Sequence, residues 1–264
     1  MNTYAFLQAV HEKRPLVHHI TNWVTIFDCA QVVKSFGASP VMAHAPEEVA
    51  DMTSLGSALV LNIGTLTTEV VDSMKLAAAA ANRKGIPIVL DVCGAGATAF
   101  RDRKCAEILD AAKIDVIKGN SSEIARIAGL AVETKGVDAG QVVADLREIA
   151  VSLSTRRACT VVITGVEDII AGQGKVFLVC NGHAMMANLV GTGCMAASVI
   201  GTFVGATPNQ IPEAAAAGLA CYEIAAEQAV KKSDGPGSFR MQLFDCISRL
   251  DEKQIRAMQQ VTAV

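Results

Sequence analysis

Aromatic residues are scarce in this chain of 264 residues, at 4%, with one tryptophan and two tyrosines. No basic stripe with interleaved rings appears, and the net charge is −3, which argues against a nucleic-acid partner. Charged residues are also few, at 19% against 51% hydrophobic, so the chain is not of the disordered class and has ample material for a large core. A proline-rich or charged linker is missing, and one domain over 1–264 is expected. No apolar run is long enough to span a bilayer, and residues 1–14 are polar and mixed, unlike a signal peptide. Cys-x-x-Cys is absent too. The eight cysteines stand singly, at 29, 93, 105, 159, 180, 194, 221 and 246, and signal neither a zinc site nor a redox pair. Free, buried thiols in a reducing cytoplasm are the expectation.

What the chain does have is alternation. Continuous apolar runs at 58–62, 86–91 and 160–164 read as strands buried on both faces. Shorter strands are expected at 15–22, 40–42 and 116–118, and a hairpin over 168–179 around Gly172-Gln173-Gly174. Between them, helical spacing covers 4–13, 23–36, 47–55, 68–84, 101–113, 121–128 (with Ser121 as its cap) and 138–154. From Cys194 onward, through 212–230 and 236–250 to the tail, nearly everything reads as helix. Such alternation implies an α/β fold, a mostly parallel central sheet with helices on both faces. Ligands of such folds sit at the carboxyl ends of the strands, where Asn62, Asp91, Lys118 with Asn120, and Thr164 fall.

Asn188-Leu189-Val190-Gly191-Thr192-Gly193-Cys194 precedes a small-residue helical run. If Gly193 and Cys194 open that helix, its free N–H groups and partial positive charge form an anion cradle at Gly191, Thr192 and Gly193, with Cys194 at the lip. The competing reading is a tight turn before a buried helix. Asp91 could hold hydrated Mg²⁺ or cap a loop. Lys118 can reach a phosphate as a point charge, and Glu123 can touch metal-bound water or simply favour its helix dipole. The hydroxyl of Thr164 suits a nucleotide or a turn. Of the adjacent His18 and His19, which face opposite sides of a strand, at least one is structural. Gly94-x-Gly96-x-x-Ala99 formally matches a dinucleotide fingerprint, but no helix opens on its glycines and the next strand begins, rather than ends, with an acid, Asp115.

Several blocks together resemble the hydroxyethylthiazole kinase family: His18-His19-Ile20-Thr21-Asn22, the stretches 37–49 and 58–66, Gly94-Ala95-Gly96-Ala97-Thr98, Gly119-Asn120-x-x-Glu123, Ile163-Thr164-Gly165 and Gly191-Thr192-Gly193-Cys194. The resemblance runs from about residue 18 to 205 and implies a ribokinase-like fold. It implies ATP- and Mg²⁺-dependent phosphorylation of 4-methyl-5-(2-hydroxyethyl)thiazole in thiamine synthesis or salvage, by a homotrimer with sites at subunit boundaries. By position it assigns Met42, Gly191 and Asn22 to the thiazole alcohol, and Lys118 and Thr164 to the nucleotide. It assigns Asp91, Asn120 and Glu123 (through water) to magnesium, and Cys194 to the place of the base. Val92-Cys93 stands where the family usually has Pro-Val, Lys118 where it has arginine, and His19 where it has asparagine. A kinase for another heterocyclic alcohol, of pyrimidine or pyridoxal type, and a non-catalytic thiazole- or nucleotide-binding protein are the alternatives.

Overall fold

The computed structural model describes residues 1–130 and 145–264. In chain order its elements are α1 (Thr3–Lys13), β1 (Leu16–Ile20), α2 (Ile26–Ser35), β2 (Ser39–Val41), α3 (Val49–Leu55), β3 (Ala58–Asn62), α4 (Thr68–Lys84), β4 (Ile88–Asp91), α5 (Ala99–Ala111), β5 (Val116–Asn120) and α6 (Ser121–Ile127). They continue with α7 (Leu146–Arg157), β6 (Thr160–Thr164), β7 (Asp168–Gly172), β8 (Lys175–Val179), a 3₁₀ turn (Ala184–Asn188), α8 (Thr192–Ala206), α9 (Ile211–Val230), α10 (Pro236–Ser248), α11 (Glu252–Met258) and β9 (Val261–Ala263).

The strands form one sheet in the order β2-β1-β3-β4-β5-β6-β7-β8-β9. The first six run parallel, and β7, β8 and β9 join antiparallel. Side chains alternate across it. Val17, Val60, Val89 and Val116 meet α1, α2, α8, α9 and α10 in one core, whereas Leu59, Leu61, Ile88 and Ile117 meet α3 to α7 in another. This explains why β3 and β4 are apolar without a break: every residue in them is buried. The α/β expectation, with a mostly parallel sheet between two helical layers, therefore holds. Among the described residues no helix is long and apolar enough to cross a membrane.

Helix α8 is the element that matters for chemistry. A Cβ on Gly201 would lie 2.3 Å from Val60 Cγ2, so the missing side chain lets α8 press directly on β3. That contact sets its first turn over the carboxyl ends of the strands. Because β1 is paired on one side by β2 and on the other by β3, the chain's winding reverses there. Crevices for ligands open at such a reversal.

Four expectations are corrected. The tail is not all helix, since β9 adds a last strand against β8. Asn120, not Ser121, caps α6, accepting from Glu123 N while the Glu123 side chain returns to Asn120 N; the reciprocal pair satisfies two free N–H groups at once, which moves the cap one residue earlier. α8 opens at Thr192 behind an N-cap at Gly191, not at Gly193. The helix expected over 138–154 is observed as α7 (Leu146–Arg157), with Asp145 as cap; residues 138–144 lie outside the described residues.

Candidate active site

Parallel pairing brings the strand-end residues side by side. Asn62 is level with Asp91, Asp91 with Lys118, and Asn120 with Thr164. A continuous polar chain links them to α8. Asn22 Nδ2 donates to Asn62 Oδ1 (3.0 Å) and to Cys194 Sγ (3.2 Å), and Asn62 Nδ2 donates to Asp91 Oδ2 (2.8 Å). Lys118 Nζ stands 3.4 Å from Asp91 Oδ1. Met42 follows β2, half-buried, at the same edge of the sheet. Thr164 ends β6, its Oγ1 donating to Gly119 O at 3.4 Å.

The first turn of α8 completes the group. Its first intrahelical bond runs from Met195 N to Gly191 O (2.8 Å), so the N–H groups of Thr192, Gly193 and Cys194 precede the ladder. Gly191 has φ +96°, and a Cβ there would meet Thr25 Cγ2 at 2.5 Å, so no other residue fits without displacement. A Cβ on Gly193 would lie 3.2 Å from Lys118 Nζ, which places the ammonium directly beside the cradle. Helix terminus and cation thus act on the same point, the arrangement an anion needs.

Charge in this group is strongly perturbed. Burial opposes the charge on Lys118, but Asp91, Glu123 and Cys194 outweigh it and hold its pKa above the ordinary lysine value. Burial raises the carboxyls of Asp91 and Glu123, with Lys118 pulling both back down. Cys194 moves the other way, to about 5: a hydrogen bond from the Cys93 thiol overcomes the burial penalty, with Lys118, Thr25 and Asn22 adding to it. A thiolate at neutral pH follows, poised to accept a proton.

Glu123 is fixed by two backbone donors, Gly94 N (2.6 Å) and Asn120 N (2.7 Å). Asn120 Oδ1 is engaged by Glu123 N and Ser122 Oγ. Two carboxylates and a thiolate face one ammonium, an excess of negative charge that suits a divalent cation. Among the described residues no three acidic, histidine or cysteine side chains converge as a cage. The carboxyls of Asp91 and Glu123, both buried at the strand ends, are the kind of few-carboxylate donor set that a hydrated ion of the Mg²⁺ type takes while keeping most of its waters.

Some neighbours carried no sequence signal. Thr25 bridges Asn22 Oδ1 and Gly191. Arg101 ties down the carbonyls of Ile63, Gly64 and Cys93 and so shapes the loop after β4. Asp168, at the head of β7, accepts from Gly165 N (2.9 Å) and meets Glu223 of α9. Burial, then Asp168, pushes Glu223 up to about 11; an acid among the buried alanines in the middle of α9 was the available hint. Both histidines of β1 are structural. His18 bonds Thr53 Oγ1 and Ala43 O, while His19 contacts Val17 O and burial pushes it down to about 4. A cavity of about 860 Å³ at the opposite end of the sheet, lined by Asn82, Asp115, Thr160 and Gln173 among others, contains none of the strand-end residues. Two of its polar side chains serve loop bonds: Asp115 Oδ2 accepts from Ile88 N, and Asn82 pairs with the Lys113 backbone.

Comparison with known proteins bears on the family and the fold. Residues 7–253 match the model of the hydroxyethylthiazole kinase family. The hydroxyethylthiazole kinase of Methanosarcina mazei is 52% identical over 255 residues, covering 97% of each chain. The structure of the hydroxyethylthiazole kinase protein from Pyrococcus horikoshii OT3 superposes with a TM-score of 0.90 at 38% identity, over 99% of this chain and 98% of that one. A ribokinase-like superfamily protein from Enterococcus faecalis V583, at 13% identity and a TM-score of 0.66 over 92% of this chain and 94% of its own, shares the fold.

Proposed function

The chain belongs to the hydroxyethylthiazole kinase family, and from that premise we propose that it transfers the γ-phosphoryl group of ATP to the hydroxyl of 4-methyl-5-(2-hydroxyethyl)thiazole, a step of thiamine synthesis or salvage. The observation that carries the reading is the convergence of Cys194, Lys118 and the α8 N-terminus on one point at the carboxyl ends of the strands.

Phosphoryl transfer asks a protein mainly for positioning and charge neutralisation. The N–H groups of Thr192, Gly193 and Cys194 supply fixed donors for the charge that develops on the transferring group. Lys118 and Thr164 orient the nucleotide, Lys118 as a charge held by Asp91. Met42, Gly191 and Asn22 position the alcohol. Cys194 Sγ accepts its proton as the oxygen bonds to phosphorus, and the Asn22 amide keeps the sulfur aimed there. Asp91 and Glu123, the latter through water and oriented by Asn120, would hold Mg²⁺. When bound, that ion supplies neutralisation of the phosphate charge.

The exposed Trp23, Val24 and Phe27 at the entry to α2, with Val190 ahead of α8 and Met241 on α10, support a homotrimer with sites at subunit boundaries. Eight free cysteines support a cytoplasmic setting. The whole chain is proposed to work as one kinase domain. ATP consumption with a panel of heterocyclic alcohols tests the function: the thiazole alcohol should turn over best, and only with divalent cation. Preference for a pyrimidine or pyridoxal alcohol, or no turnover at all, would overturn it.

A further inference from the structure

Arg101 stands half-buried in the first turn of α5, where its N–H donates to the capping Thr98 Oγ1. Its guanidinium crosses between two loops at the carboxyl ends of the strands. Nη1 donates to Ile63 O (2.7 Å) and Cys93 O (3.2 Å), and Nη2 donates to Gly64 O (2.7 Å). Ile63 and Gly64 follow β3, whereas Cys93 follows β4. Among the described residues no carboxylate lies within ion-pair distance of Arg101. Its charge is directed instead at main-chain oxygens, to which a charged donor bonds more strongly than a neutral one. Gly94 runs past the same fork: a Cβ there would lie 3.0 Å from Arg101 Nη1.

The loop after β3 is also what holds Asn22. Gly64 N donates to Asn62 Oδ1 (2.9 Å), and the same oxygen accepts from Asn22 Nδ2 (3.0 Å). Trp23 N, the next backbone amide after Asn22, donates to Thr65 Oγ1 (3.1 Å). A Cβ on Gly64 would meet Asn22 Cβ at 3.1 Å, so the loop lies directly against that side chain. We propose that Arg101 is a positioning residue for the phosphoryl transfer: its planar fork ties the loops after β3 and β4 into one frame, and that frame aims Asn22 at the reacting alcohol. The inference rests on the kinase reading, which places Asn22 against the alcohol. The role is geometric, so keeping the charge alone does not preserve it. A lysine ammonium is a compact point charge on a flexible stem, whereas the guanidinium presents donors in fixed directions, as three carbonyls on two loops require.

Arg101→Lys and Arg101→Gln, each in the whole chain, test this with two readouts. Amide hydrogen exchange followed by NMR, without nucleotide, needs no turnover. The N–H groups of Gly64 and Gly94, bonded to Asn62 and Glu123, should lose protection in both variants, while Val60 and Leu90 within β3 and β4 keep theirs. In steady-state kinetics, kcat for the thiazole alcohol should fall by about 10-fold in both, with KM for ATP unchanged. The loss stays below that of a larger displacement because Asn22 keeps its bonds to Asn62 and Thr25. In an Asn22→Ala background, Arg101→Lys should cost little further rate, since the residue it acts through is gone. Unchanged protection at both glycine amides, protection lost evenly through β3 and β4, a native kcat in Arg101→Lys, or an undiminished loss in the Asn22→Ala background would overturn the proposal. Local loss of protection in a protein whose native form phosphorylates no alcohol would instead sink the kinase reading and leave the two-loop frame in place.

Discussion

Gly191→Ala is the sharpest single perturbation of the cradle. Two penalties combine at this position. The backbone sits at φ +96°, and holding an L side chain there costs about 1–3 kcal/mol. The new Cβ would also lie 2.5 Å from Thr25 Cγ2, where ordinary contact begins near 3.4 Å, so something must move by roughly 1 Å. Thr25 cannot yield freely, because its N and Oγ1 both bond Asn22 Oδ1 and Asn22 holds Cys194. The strain therefore passes to the reacting atoms, where a misplacement of that size costs about 10²-fold in rate. We expect kcat to fall about 10²-fold and the melting temperature to drop by a few degrees. Adding Thr25→Ser removes the offending methyl and leaves a closest contact of 3.1 Å to Cβ, while φ is unchanged. The double variant should regain much of the rate and little of the stability. Steady-state kinetics beside thermal melts checks both. A single variant with wild-type kcat, or a double variant no faster than the single, would refute the argument that the close approach of Gly191 to Thr25 positions the site.

Two further outcomes follow from the same geometry. Lys118→Ala should raise KM for ATP much more than KM for the thiazole, since the ammonium faces the cradle beside Gly193; the reverse pattern would move Lys118 to the alcohol. Glu223→Gln should stabilise the protein at neutral and alkaline pH. The folded pKa of Glu223 is raised from 4.5 to about 11, so the folded state keeps a proton that the unfolded state releases. Its contribution is therefore full below pH 4.5 and falls, by about 1.4 kcal/mol per pH unit, as pH rises toward the folded value. An amide escapes that loss, so the variant's melting temperature should exceed the native one increasingly from pH 5 to 8; a gap that does not widen would mean the carboxyl is not protonated.

The strands were legible because burial on both faces leaves unbroken apolar runs, as in Ala58–Asn62 and Thr160–Thr164. The hairpin was legible because Gln173 and Gly174, both at positive φ, are the residues a two-residue turn requires. β9 was not, because Val261–Ala263 is short and largely exposed, and its pairing depends on β8 far back in the chain. Polar residues at strand ends announced Asn62, Asp91, Lys118 and Thr164, since a sheet's carboxyl edge is a place a sequence can mark. The part of Thr25 was invisible: an ordinary threonine becomes critical only when α8 lays Gly191 against it.

The central claim, that the α8 terminus receives the phosphoryl group and Cys194 takes the alcohol proton, is tested most directly by single-turnover rapid quench of Cys194→Ala with ATP and the thiazole alcohol. The account predicts a chemical step slowed by about 10²-fold, little change in thiazole KM, and substantial activity retained in Cys194→Asp, whose carboxylate can accept the same proton. A Cys194→Ala chemical step at the wild-type rate would contradict it and leave the thiol as packing.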